Sequence, residues 1–72
     1  MVGYRDMEVD AMRLKELRIE KMLSQDELHQ RSGVARDTIS RLERGKTEAQ
    51  YRTIRKLADA LGVPYRDLLK KE

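Results

Sequence analysis

Arg36 and Arg41 stand five residues apart in the stretch Arg36-Asp-Thr-Ile-Ser-Arg-Leu-Glu43. In a helix that spacing lets both share one exposed face. A guanidinium there can donate paired bonds to guanine O6 and N7, a contact contributing about 1–3 kcal/mol of discrimination between bases. Asp37 could accept from a cytosine amino group or orient Arg36 or Arg41. Orientation is favoured, because a carboxylate near phosphates is costly unless paired. Ser40 and Thr38 are secondary candidates, to base or phosphate. The plain alternative for both arginines is solvated surface charge.

Other chemistries find little support. The chain has no cysteine and a single histidine, so a disulfide, a thiol nucleophile and a multi-histidine metal site are excluded within one chain. No nucleophile–base pair or phosphate-cradling glycine loop can be assembled. The expectation is therefore a protein that is not an enzyme, with no metal and no cofactor. No apolar run approaches the roughly 20 residues that span a bilayer, and no charged-then-apolar leader is visible. A cytoplasmic protein with no membrane partner is expected. Seventy-two residues make one domain, near the lower limit for an unaided core.

Charge is concentrated where the arginines lie. Charged residues make up 40% of the chain, against about 25% in ordinary globular domains. Residues 1–35 carry net −1, residues 36–56 net +4 and residues 57–72 net 0. The excess sits on the arginine segment and the loop that follows it, the footprint of phosphate binding.

These side chains need elements to hold them. Met12, Leu14, Leu17 and the Met22-Leu23 pair predict a first helix over residues 11–22. Residues 1–10 read as an N-terminal arm or an extension of that helix. Ser24 with Glu27 three residues later is a capping box, in which the serine oxygen and the glutamate each satisfy an orphan backbone N–H. A second helix is expected from Gln25, anchored inward by Leu28 and stopped at Ser32-Gly33, where glycine tolerates the positive φ of a sharp exit. A third spans residues 36–43, with Ile39 and Leu42 inward, and ends at Arg44-Gly45. Residues 46–50 read as a polar loop. Tyr51, Ile54, Leu57, Ala58 and Leu61 mark a fourth helix ending at Gly62, and Pro64 opens a short fifth with Leu68 and Leu69. No strand pattern is visible. The expected fold is all-α, a compact five-helix bundle over residues 11–72. Its helices 2 and 3 form a helix-turn-helix whose second helix fits a DNA major groove.

From Leu14 to about Leu69 the chain closely resembles the lambda-repressor-like, or Cro/C1-type, helix-turn-helix family of bacteria and phages. The resemblance rests on Leu14-Lys-Glu-Leu-Arg18, Leu23-Ser-Gln-Asp-Glu-Leu28, Ser32-Gly-Val34, Thr38-Ile-Ser-Arg-Leu-Glu-Arg-Gly45, Leu57-Ala-Asp-Ala-Leu-Gly-Val63 and Asp67-Leu-Leu69. Two positions depart from it. Where the family usually has alanine, at the close approach of helices 2 and 3, this chain has His29. A ring there either tilts outward or forces the helices apart, and a partly buried ring pointing to solvent is favoured. At the start of helix 3, where a hydroxyl residue usually caps, it has Ala35, giving up about 1 kcal/mol of capping. The Ala35 methyl could instead rest against a thymine methyl.

The resemblance implies a sequence-specific regulator of transcription, a repressor, that binds double-stranded DNA as a homodimer on pseudo-palindromic sites. Helix 3 would read bases with Arg36, Asp37, Ser40, Arg41 and Ala35. Phosphates would be held by Ser24 and Gln25 at the helix 2 N-terminus, by Thr38, and by Arg44, Lys46, Thr47 and Arg52 after helix 3. Gln25 could also brace Arg36. Arg18 and Glu43 are expected to pair between helices 1 and 3 as a structural salt bridge. Dimer contacts would fall near Tyr51 and residues 65–69, although Tyr51 and Tyr65 could equally close the core. Two alternatives remain, the antitoxin half of a toxin–antitoxin pair and a protein-interaction module that keeps the fold. The basic segment argues against the second of these.

Overall fold

Asp10 starts the first helix. Its carboxylate accepts from the Arg13 N–H at 3.0 Å, and α1 runs Ala11–Glu20 in the computed structural model, which describes residues 6–45 and 48–71. The helix stops two residues earlier than its periodicity predicts. Met22 turns into the left-handed region at φ 58°, and the Leu23 N–H reaches back to the Arg18 carbonyl at 3.1 Å. That bond closes the helix C-terminus.

The Ser24–Glu27 capping box opens α2, Gln25–Ser32, which exits through Gly33 at φ 76°. Helix α3, Arg36–Glu43, begins at Ala35 with no side-chain cap. Helix α4, Tyr51–Leu61, ends at Gly62, again left-handed. Each helix sends apolar residues to one core: Leu14 from α1, Leu28 from α2, Ile39 from α3, and Ile54, Leu57 and Leu61 from α4 are all essentially inaccessible. Among the described residues no polar or charged residue is fully buried.

Two expectations need correction. The all-α reading missed a small sheet. Strand β1, Asp6–Glu8, pairs antiparallel with β2, Glu48–Gln50, from the segment expected to be loop. On the other flank Val9 bridges Leu69, with Asp10 N–H donating to Leu68 O at 2.8 Å and Lys70 N–H to Glu8 O at 3.0 Å. Glu8 and Glu48 face each other in register, a like-charge pair that weakens a ladder. The sheet holds because buried Ala49, Val9 and partly buried Met7 pack on the core.

The expected fifth α-helix is a single 3-10 turn, Tyr65–Leu68. After Pro64 only four residues precede Leu69, which must be extended, at φ −90° and ψ 146°, to reach Val9. A tight turn fits that span and a full α-helix does not. The five-helix bundle is thus four α-helices, a 3-10 turn and a two-stranded sheet.

Candidate nucleic-acid interface

Helix α3 buries Ile39 and Leu42 and turns its other side outward. Arg36, Asp37 and Arg41 are exposed, Ser40 and Thr38 half-buried, and Ala35 exposed at the helix start. Five residues of helix leave about 140° between Arg36 and Arg41, so the two occupy opposite margins of the outer face. Arg36 borders an open cleft of about 300 Å³ shared with Gln25, Asp37 and Ser40. Arg41 borders another of about 220 Å³, with Thr38, Glu48, Gln50 and Thr53 on its walls. Asp37 Oδ2 lies 3.8 Å from Arg41 Nη1, so its ion pair is with Arg41.

The far end of α3 is tied down by a polar network. Arg18 Nε donates to Glu43 Oε2 at 2.7 Å and Nη2 to Oε1 at 3.0 Å, while Nη1 donates to the Leu23 carbonyl at 2.7 Å. The hydrogen bond to Glu43 raises the Arg18 pKa; burial opposes this and the Glu43 charge adds to it. Gln25 Nε2 donates to Glu43 Oε1 at 3.1 Å. A brace to Arg36, which only donates, would use the Gln25 amide oxygen, and this bond leaves that oxygen available. One guanidinium thus joins the C-terminus of α1, the entry to α2 and the last turn of α3.

At the start of α2, Ser24 Oγ accepts from Glu27 N–H at 3.0 Å and Ser24 N–H donates to Glu27 Oε1 at 2.8 Å. The Ser24 backbone N–H first, and then its hydroxyl, hold the Glu27 carboxyl below its ordinary range, with the Arg31 charge adding to them. Asp26 and Glu27 also occupy the first turn, where negative charge offsets the positive end of the helix dipole. His29 keeps its expected partial burial but turns one edge of the ring inward. Its ring is half-buried, with Nδ1 2.8 Å from the Val34 carbonyl inside the α2–α3 turn.

Arg44 is exposed at the end of α3. Lys46 and Thr47 lie outside the described residues. Arg52 is exposed on the outer face of α4, bordering a third cleft of about 560 Å³ with Arg55, Lys56 and Asp59, which shares Gln50 with the Arg41 cleft. Sequence reasoning missed Gln50 and Thr53 beside Arg41, because nothing in a polar loop and a helix start marks which residues turn toward a neighbouring helix. Tyr51 and Tyr65 meet edge to face, ring centroids 5.4 Å apart, with the Arg55 guanidinium 5.9 Å from the Tyr51 ring centre.

Helices α2 and α3, joined through a left-handed glycine, form a helix-turn-helix, and a helix-turn-helix family model matches the chain. That model matches residues 14–68. The chain belongs to the lambda-repressor-like, Cro/C1-type helix-turn-helix family. The HTH-type transcriptional repressor RghR of Bacillus subtilis is 42% identical over 66 residues, covering 90% of this chain and 49% of RghR. The chain thus spans about half the length of that relative. The restriction-modification controller protein C.AhdI of Aeromonas hydrophila superposes with a TM-score of 0.76 at 41% identity, over 82% of this chain and 89% of that one. SinR, the master regulator of biofilm formation in Bacillus subtilis, solved in complex with DNA, gives 0.75 at 32% identity, over 78% and 90%. This member of the helix-turn-helix family carries His29 and Ala35 beside the turn.

Proposed function

We propose that this chain is a sequence-specific DNA-binding transcriptional repressor that reads the major groove of double-stranded DNA with α3. The observation that carries this reading is the outer face of α3. Two arginines stand at its margins with Asp37 and Ser40 between them, on a helix whose far end is held by the Arg18–Glu43–Gln25 network. A rigid helix of this size presenting donors is what the major groove admits. Repressors and controller proteins among the relatives support it.

In this reading Arg36 and Arg41 contact guanines, Asp37 holds Arg41, and Ser40 and Ala35 complete the base-reading surface. Ser24, Gln25, Thr38, Arg44, Lys46, Thr47 and Arg52 contact phosphates. Residues 11–72 are the DNA-binding domain, and residues 6–10 before it are joined to it by β1 and buried Val9. The protein acts in the cytoplasm as a homodimer, with no catalytic step, on two half-sites about one helical turn apart. The Tyr51–Tyr65 pair and the exposed edge around it supply the dimer contact.

Selection from random duplex DNA at near-physiological salt tests this. Enrichment of a two-fold symmetric motif with guanines in each half-site is expected. Weak, salt-sensitive binding with no enriched motif would overturn it, and would favour a protein whose DNA recognition depends on a partner.

A further inference from the structure

His29 grips the α2–α3 turn twice. Its backbone carbonyl accepts from the Gly33 N–H at 2.9 Å, and its ring Nδ1 lies 2.8 Å from the Val34 carbonyl oxygen. A carbonyl oxygen only accepts, so Nδ1 carries the proton and the ring's lone pair sits on Nε2. The ring is therefore a fixed donor to the turn.

Val34 is buried, and its N–H donates to Ser32 Oγ at 3.0 Å. Both polar groups of Val34 are thus held from α2, the N–H by Ser32 and the carbonyl by His29. The Val34 carbonyl belongs to the peptide plane that leads into Ala35, the residue where α3 starts with no side-chain cap. Rotation of that plane changes the direction in which α3 leaves the turn, and Arg36 sits in the first position it would move.

We infer that His29 is a positioning residue for base reading. By holding the Val34 carbonyl it sets the entry angle of α3 in place of the cap that Ala35 lacks. This rests on the DNA-reading function proposed above. The ring at 29 thus fixes the direction of a helix start that no side chain caps.

The test compares the full chain with His29→Ala and His29→Asn. Alanine removes the ring and its N–H donor. Asparagine keeps an N–H donor on the atom that corresponds to Nδ1. Each is titrated, under conditions where circular dichroism shows it folded, against the duplex enriched by the wild type and a random-sequence duplex of the same length. His29→Ala should lose about three- to tenfold on the enriched duplex, the worth of one hydrogen bond, and stay within about twofold on the random one. His29→Asn should remain near wild type on both. Equal weakening on the two duplexes, no change, or failure of asparagine to rescue would overturn the assignment.

Amide exchange in the free protein keeps the test independent of DNA, should the wild type enrich no duplex and the functional reading itself fail. Exchange at Ile39 to Glu43 in α3 should accelerate in His29→Ala relative to α1 and recover in His29→Asn. Uniform acceleration across both helices, or none, would overturn it.

Discussion

Glu43 accepts from Arg18 at both carboxylate oxygens, across the gap between α3 and α1, and the two side chains are only 4% and 12% exposed. The fork fits a carboxylate in two parallel bonds, and Gln25 adds a third donor. Removing one partner strands a charge that water barely reaches. Arg18→Met should therefore cost about 3–5 kcal/mol, whereas the double variant Arg18→Met/Glu43→Leu should cost less than that single change. Urea unfolding of the single and double variants checks this; a single variant within about 1 kcal/mol of wild type would remove the network from the account of how α3 is held. The raised Arg18 pKa means its contribution is present below the unfolded value and lost only at more alkaline pH than proteins ordinarily meet.

The acid side is set elsewhere. The Ser24 N–H and hydroxyl hold the Glu27 carboxyl below the ordinary glutamate value of 4.5. A depressed folded-state pKa gives stability that is present above the unfolded value and lost as pH falls through the folded one. The wild type should melt higher than Glu27→Gln near neutral pH, and the gap should close once the pH drops below that range. Melting curves across the acid range check this. A gap that persists in acid would mean the advantage is not the carboxylate's charge.

Met22 is the described non-glycine residue with positive φ, at 58°, and its side chain, 88% exposed, gains little there. An L-residue in that region costs about 1–2 kcal/mol. Glycine removes the cost but loses about 0.4–1 kcal/mol through the freer unfolded chain. Met22→Gly should therefore stabilise by roughly 0.5–1 kcal/mol and leave the Leu23-to-Arg18 backbone bond in place. Thermal melts and the amide exchange of Leu23 report both. Destabilisation would mean that the Met22 side chain makes a contact in solution that its exposure hides.

The helices were legible because their signals are local. Ser24 with Glu27, glycine at 33 and 62, and the paired spacing of Ile39 and Leu42 each lie within one or two turns of what they control. The sheet was not legible, because three-residue strands carry too few alternations for a period of two to register. Met7 and Ala49 are their paired inward positions, and nothing local joins residue 7 to residue 49. The 3-10 turn was hidden for a related reason, since its length is set by where Leu69 must pair. The Arg18–Glu43 expectation came from resemblance, as a separation of 25 residues has no periodicity to read. At α3 the outward side chains were legible from the helical spacing, but their neighbours were not. The wall of Gln50 and Thr53 beside Arg41, and the direction of the His29 ring, depend on how elements cross.

Asp37 and Arg41 lie one helical turn apart with side chains 80% and 56% exposed, at 3.8 Å. An exposed pair of this kind contributes at most about 0–1 kcal/mol to folding, so Asp37→Ala should leave the melting temperature nearly unchanged. Its effect should appear on DNA. Without the carboxylate, Arg41 is free to turn to the nearest phosphate, and one negative charge is gone from the face that meets the duplex. Binding to a random-sequence duplex should strengthen while preference at the base read by Arg41 weakens. Arg41→Ala should lose that preference outright, with about 1–3 kcal/mol of specific affinity. Repeating the duplex selection with both variants separates the cases. If Arg41→Ala enriches the wild-type motif with undiminished affinity, Arg41 reads no base, and the reading face must centre on Arg36 at the opposite margin of α3.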